Sequence, residues 1–256
     1  MDKLLCLVLE PVDQRVEIRL NGLTVGAVPA GQPFAKPIHE FVCAGENRLR
    51  ITVPNNPTQR LNKALQLRCR LVLHKHRGDQ TWVEPEALHE FAVSLACGER
   101  LERQRVLDAA FDLPVRFPVW DFLNVPPPLT TEHLQVRLED FLLRWIAAWD
   151  ARDLNALFPL YTRRNRELSL AYGQDHSTHQ HAFGHHLQVL MEGHVLDETI
   201  RNPAQWVFQP QRRSALHRLC NAAGDDLLRF QSANGEGVWV WPHHLAVLPD
   251  NIYILR

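Results

Sequence analysis

The 256-residue chain carries 28 Lys and Arg against 29 Asp and Glu, so a net charge of −1 leaves no basic footprint for nucleic acid or an anionic membrane. Its 45% apolar and 22% charged residues are those of a soluble globular protein, with length for one large domain or two ordinary ones. The opening apolar run, Leu4–Leu9, stops at Glu10 without a small-residue cleavage site, and no run approaches the roughly 20 apolar residues that span a bilayer.

The predicted elements begin with strands. Val16, Ile18 and Leu20 alternate with Glu17 and Arg19, and Asn21-Gly22 follows as a hairpin turn. His39–Val42 and Leu49–Val53 read as strands around an Ala44-Gly45-Glu46-Asn47 turn. Leu65, Leu67, Cys69, Leu71 and Leu73 alternate with Gln66, Arg68 and Arg70, which predicts a half-buried strand with a cationic outer face. His89–Cys97, Arg103–Asp108 and Val115–Trp120 bring the count to about eight short strands, the spacing of a two-sheet sandwich. Pro126-Pro127-Pro128 then fixes an extended spacer. The domain expectation is therefore a β-sandwich over 1–120, a proline-rich linker over 121–130 and an α+β domain over 131–256.

Within the first segment, Asn21-Gly22-Leu23-Thr24-Val25-Gly26, Pro33-Phe34, Ile38 and Gly45-Glu46-Asn47-Arg48-Leu49-Arg50-Ile51-Thr52-Val53 resemble the galactose-binding-like jelly-roll accessory domains of glycosidases. The resemblance covers about forty residues of turn and strand and implies a fold, not sugar binding.

In the last segment Thr131 is a predicted N-cap, and Leu134, Leu138, Phe141, Leu142, Trp145 and Trp149 form one apolar helical face. Asp140 and Arg144 form an i,i+4 pair. Asp153 caps a second short helix bearing Leu154, Leu157 and Phe158, which Pro159 ends or kinks. A further helix over Gln180–Glu192, with Ala182, His186, Val189 and Leu190 near one face, stops at Gly193. Strands follow at Trp206–Gln209, Ser214–Leu219, Asp226–Ser232, Gly237–Trp241, Leu245–Leu248 and Ile252–Leu255, with turns at Asn234-Gly235 and Pro249-Asp250-Asn251. The Phe141–Leu157 helix pair and the final hairpins resemble the nuclear-transport-factor-like (ketosteroid-isomerase-like, SnoaL-like) cone superfamily. That likeness implies a curved antiparallel sheet with about three helices. The isomerases of that superfamily use a Tyr and a protonated Asp as oxyanion donors. The stretch after the second helix offers Arg163, Arg164, Arg166 and Glu167 instead, so no catalytic residue is carried over.

The sites that the residues suggest are few. Trp145, Trp149, Tyr161, Trp239 and Trp241 either line a small apolar pocket or fill the core. Arg163, Arg164 and Arg166 either clamp an anion or acidic partner or lie on a solvated helix end. His181 and His185 share a helix face at i,i+4, a spacing that presents two imidazoles to one metal, with His176, Asp175 or Glu192 as a third ligand; the bland alternative is an exposed polar face. Cys6, Cys43, Cys69, Cys97 and Cys220 are odd in number, lack a Cys-x-x-Cys, and fit buried reduced thiols in a cytoplasmic protein. Nucleotide loops and a Gly-x-Ser-x-Gly elbow do not occur.

Together these residues predict a non-catalytic accessory or binding protein without cofactor: an adaptor, a chaperone-like factor or an immunity-type inhibitor of a larger bacterial protein. One alternative is an isomerase- or dehydratase-like enzyme on a small apolar substrate, worked by a pocket histidine. Another is carbohydrate binding through Phe34, Phe41, Trp82 or Phe91 of the sandwich.

Overall fold

The computed structural model describes residues 3–54, 60–75, 85–101, 105–113, 117, 120, 131–211, 216–235, 237–241, 243–248 and 251–255. The chain separates into two compact units, Met1–Val119 with Ala171–Gly173, and Trp120–Leu170 with Gln174–Arg256. The expected spacer at 121–130, the N-cap side chain of Thr131, the indole of Trp82 and most of the strand expected at 115–120 fall outside the described residues.

The first unit holds β1 (Lys3–Leu9), β2 (Val16–Leu20), β3 (Leu23–Val28), β4 (Phe34–Pro37), β5 (Glu46–Thr52), β6 (Leu65–Lys75), β7 (Glu86–Leu95) and β8 (Arg105–Asp112). They form two four-stranded antiparallel sheets, β4-β1-β6-β7 and β3-β2-β5-β8. Period-two alternation decides which side chains go inside. Val16, Ile18 and Leu20 of β2 are buried, as are Leu65, Leu67, Cys69 and Leu71 of β6, while Gln66, Arg68 and Arg70 are exposed. The Leu4–Leu9 run is β1, an inner strand paired on both sides. His39–Phe41 is a 3-10 turn rather than the expected strand. His39 there accepts the Leu5 N–H on Nε2 at 2.7 Å, which requires the ring to turn back onto β1.

The turn residues of this unit interlock. Asn21 and Gly22 both take positive φ, 52° and 87°, as a two-residue hairpin of right-handed twist demands. The Asn21 Nδ2 donates to the Phe41 carbonyl and to Asn47 Oδ1, and Asn21 Oδ1 accepts the Arg48 N–H. Asn47 is fully buried, accepts the Cys43 N–H, and donates to the Cys43 and Gly45 carbonyls. One amide thus closes the loop before β5 and ties it to the β2–β3 turn. Gly26 has a separate reason: a Cβ there would stand 2.8 Å from the Phe34 ring.

The second unit opens with α1 (Thr131–Asp150), α2 (Leu154–Leu157), a 3-10 turn over Phe158–Tyr161, α3 (Thr162–Ala171) and α4 (His176–Gly193). Then come β9 (His194–Leu196), β10 (Val207–Pro210), β11 (Leu216–Cys220), β12 (Arg229–Ser232), β13 (Val238–Val240), β14 (His244–Val247) and β15 (Ile252–Ile254). These strands make two antiparallel sheets, β10-β11-β14-β15 and β13-β12-β9. Helix α1 ends in a Schellman-type closure: Asp153 N–H bonds the Ala148 carbonyl and Arg152 N–H that of Trp149, with Arg152 at φ 53°. Asp153 then caps α2 by accepting the Ala156 N–H, as expected from the sequence. The Asp140–Arg144 pair forms at 3.1 Å on the exposed face of α1.

Leu138, Phe141, Leu142, Trp145 and Trp149 of α1 share one core with Phe230, Trp241, Leu245, Val247, Ile252 and Ile254 of the strands. The face of α4 differs from expectation by about one position. Phe183, Leu187, Leu190 and Met191 are buried, whereas Ala182, His186 and Val189 are exposed. The larger apolar side chains take the inside, and Asp175 caps the helix through the Thr178 N–H one turn before the expected start.

Candidate functional site

The sequence brings Trp145, Trp149, Tyr161 and Trp241 together, and the structure packs them against one another. Trp145 stacks on Trp149 with centroids 5.3 Å apart, and Tyr161 stacks on Trp241 at 5.5 Å. All four are buried, with Tyr161 inaccessible. Trp239 lies on the same strand face as Trp241, stacks on it at 5.6 Å, and keeps 36% of its surface exposed. Phe230 touches Trp149, Trp239 and Trp241 and completes the cluster.

A chain of hydrogen bonds runs through these rings, and His243, which the sequence reading passed over, terminates it. The Trp145 indole N–H can only donate, and it reaches Tyr161 Oη at 3.0 Å. His243 Nδ1 lies 3.0 Å from the Trp241 carbonyl, which can only accept, so that nitrogen carries the proton. The other ring nitrogen, Nε2, is then the acceptor for the Tyr161 hydroxyl at 3.0 Å. The Tyr161 oxygen thus accepts one hydrogen bond and donates another, and burial pushes its hydroxyl above its ordinary pKa. A Tyr–His pair can pass a proton, yet here both partners are buried and bonded to each other and to the core. The signal for His243 was present in the sequence as a polar residue two positions beyond Trp241, next to the apolar strand Leu245–Val247.

Arg163, Arg164 and Arg166 occupy the first turns of α3, the positive end of the helix, so its dipole does not explain them. The Arg163 guanidinium sits 4.5 Å over the Tyr253 ring. That of Arg164 lies 5.1 Å over Phe183 and 6.0 Å over Trp241, while Arg166 is exposed. Two of the three cations thus lie over aromatic faces. Arg164 also acts on α4. Burial first, then the Arg164 charge, lowers the pKa of both His179 and His186.

His181 and His185 are exposed on α4, and His181 Nδ1 lies 2.9 Å from the Ser177 carbonyl of its own helix. Among the described residues no group of three His, Cys, Asp or Glu side chains is arranged to hold a metal ion. The thiols differ from expectation in part: Cys6, Cys69 and Cys220 are buried, but Cys43 is half-buried and Cys97 exposed in a turn, and none forms a disulfide. No helix among the described residues is long and apolar enough to cross a membrane. Two further features had no sequence signal. Arg218 on β11 is buried and pairs with the half-buried Asp226, Nε to Oδ1 2.8 Å. On the first unit Asp108 accepts from Arg48, Arg50 and Arg105 at once; burial alone would raise its pKa, but the three guanidiniums hold it well below the usual carboxylate range.

No protein-family model, curated protein or solved structure matches the chain.

Proposed function

We propose that this chain is a non-catalytic binding protein of adaptor or accessory type, acting through protein–protein contacts. In this reading the first unit is a jelly-roll-like sandwich and the second a cone-like α+β domain, as the two sequence resemblances imply. The observation that carries it is the state of the second unit's centre. The aromatic residues that would wall a ligand pocket are stacked on one another, and the Tyr161–His243 pair spends its hydrogen bonds inside the core. An isomerase or dehydratase of the alternative kind needs a histidine free to meet substrate, beside a carboxylate; His243 is bonded to a phenol and a carbonyl.

Apolar surface is displayed elsewhere. Leu143 on α1, Val195 on β9 and the three residues of β13 are exposed. The carbohydrate alternative has less to stand on: Phe41 is buried, Phe34 packs on Gly26, and Phe91 packs on His89 and Phe111. Cysteines without disulfides fit a cytoplasmic setting.

The test pairs two measurements on the full chain. Affinity purification from the native host, quantified by mass spectrometry, should retain a protein partner in stoichiometric amount. A panel of small enolisable ketones and hydroxy acids should show no turnover above buffer. Turnover that disappears in Tyr161→Phe or His243→Ala would overturn the reading.

A further inference from the structure

The strand β13 is an edge of the sheet β13-β12-β9, and its three residues, Val238, Trp239 and Val240, are 58%, 36% and 40% exposed. Edge strands of folded proteins are ordinarily guarded by charged side chains, by proline or by being very short. β13 is short, three residues, but Val-Trp-Val carries neither a charge nor a proline. The ladder on the inner side fixes which backbone groups face outward. Ser232 N–H bonds the Gly237 carbonyl and Trp241 N–H that of Leu228, so Phe230↔Trp239 lies between them as another hydrogen-bonded pair. The N–H and C=O of Trp239 therefore point toward β12, and those of Val238 and Val240 point away from it.

We propose that β13 pairs antiparallel with β13 of a second copy of this chain, about a two-fold axis at Trp239. The strand is a palindrome in its side chains, which is what a two-fold seam requires. Val238 meets Val240 of the second copy and Val240 meets its Val238, each pair exchanging both N–H···O bonds. Trp239 faces its own counterpart in the non-hydrogen-bonded position, where side chains stand closest. The three-stranded sheet becomes six-stranded. On its outer face the four valines of the two β13 strands come together at the seam, with Gln231 in register beyond Val238 and Arg229 beyond Val240. β13 itself brings no ionisable group to the seam; Arg229 is in register with Val240, one strand back, and the rings of His186 and His194 lie against Trp239 at 5.5 and 6.5 Å, His186 with its pKa lowered by burial and so favoured in the neutral form.

Area sets the strength. Three residues from each copy bury on the order of a few hundred Å², short of the roughly 1,200 Å² of a stable interface. The dimer is therefore weak and reversible. This inference stands apart from the proposed function: it concerns self-pairing and does not depend on the core being closed to ligands.

Sedimentation velocity on the full chain from about 10 μM to 1 mM tests it. A concentration-dependent dimer is expected, weakened more than tenfold by Val238→Lys, with far-UV circular dichroism confirming that the variant folds. A second arm uses Trp239→Cys in a Cys97→Ser background. Its sulfurs meet at the axis within disulfide reach, so mild oxidation should yield a covalent dimer, whereas Gln231→Cys on β12 should not. A monomer across the whole range overturns the proposal. So does a dimer that Val238→Lys leaves within threefold of the parent, or one in which Gln231→Cys crosslinks as readily as Trp239→Cys.

Discussion

Removing one oxygen from Tyr161 should cost the second unit more than its size suggests. Tyr161→Phe keeps the ring, and with it the stacking on Trp241 and the contact with Phe183. It leaves the Trp145 indole N–H without its Tyr161 Oη acceptor and takes the Tyr161 bond away from His243 Nε2, both at 3.0 Å. A buried donor left without a partner costs about 1–3 kcal/mol and the loss of a buried hydrogen bond about 0.5–1.5 kcal/mol, together roughly 1.5–4.5 kcal/mol. Retention of the ring removes any cavity contribution, which places the expectation at about 3 kcal/mol. For a unit of this size that corresponds to a fall of roughly 10 °C in melting temperature. Urea titration followed by tryptophan fluorescence suits the question, because six of the seven tryptophans belong to the second unit. The midpoint should drop with the slope unchanged. A loss under about 0.5 kcal/mol would refute the reasoning, since it would mean that water reaches those atoms and that the centre is open.

Three further expectations follow from the same geometry. Asn47→Ala removes an inaccessible amide that serves the Cys43 and Gly45 carbonyls and two donors; it should destabilise the first unit by about 2–4 kcal/mol in chemical denaturation, and a cost below about 1 kcal/mol would contradict the network. Burial lowers the His39 pKa, and the Leu5 N–H needs Nε2 as an acceptor, so folding requires the neutral ring. The unfolded ring takes its proton near pH 6.5; the contribution is therefore complete above about that pH and is lost as pH falls through the lower folded value. His39→Gln should flatten that acid-side slope, and parallel slopes would exclude His39 as its source. Arg152→Gly relieves a left-handed residue at the end of α1 and should stabilise by about 1 kcal/mol, read as a rise in the urea midpoint.

Much of the architecture was legible because its elements obey one period at a time. The α1 stripe from Leu138 to Trp149 and the β6 alternation from Leu65 to Leu71 each satisfy a single template, and both are buried on the expected side. Less was legible where tertiary contact outweighs pattern. Leu4–Leu9 lacks polar alternation because β1 is an inner strand whose Leu5, Cys6, Leu7 and Leu9 are all buried, and such a run carries no strand period. His39–Val42 has strand-like composition, but the Leu5 N–H captures the histidine and curls it into a 3-10 turn. In α4 the histidines hid the true face: with His181, His185 and His186 exposed, the burial stripe is carried by Phe183, Leu187, Leu190 and Met191.

The site was harder to read for a reason that bears on its use. Sequence spacing can place rings on one face of a helix or strand, as it did for Trp145 with Trp149 and Trp239 with Trp241, but it cannot say whether they surround a space or occupy it. That is decided by the partner of each polar tip. An indole N–H or phenol left over for a ligand would argue for a pocket; here the Trp145 N–H goes to Tyr161, the Tyr161 hydroxyl to His243, and the His243 N–H to a backbone carbonyl two residues away. Trp206 follows the same rule, donating to the Ile200 carbonyl at 2.7 Å. Trp239 differs from these: it is part-exposed, on an edge strand. On the proposed reading, contacts of the second unit are therefore to be tested on the rim of its sheet, at β13, before its centre.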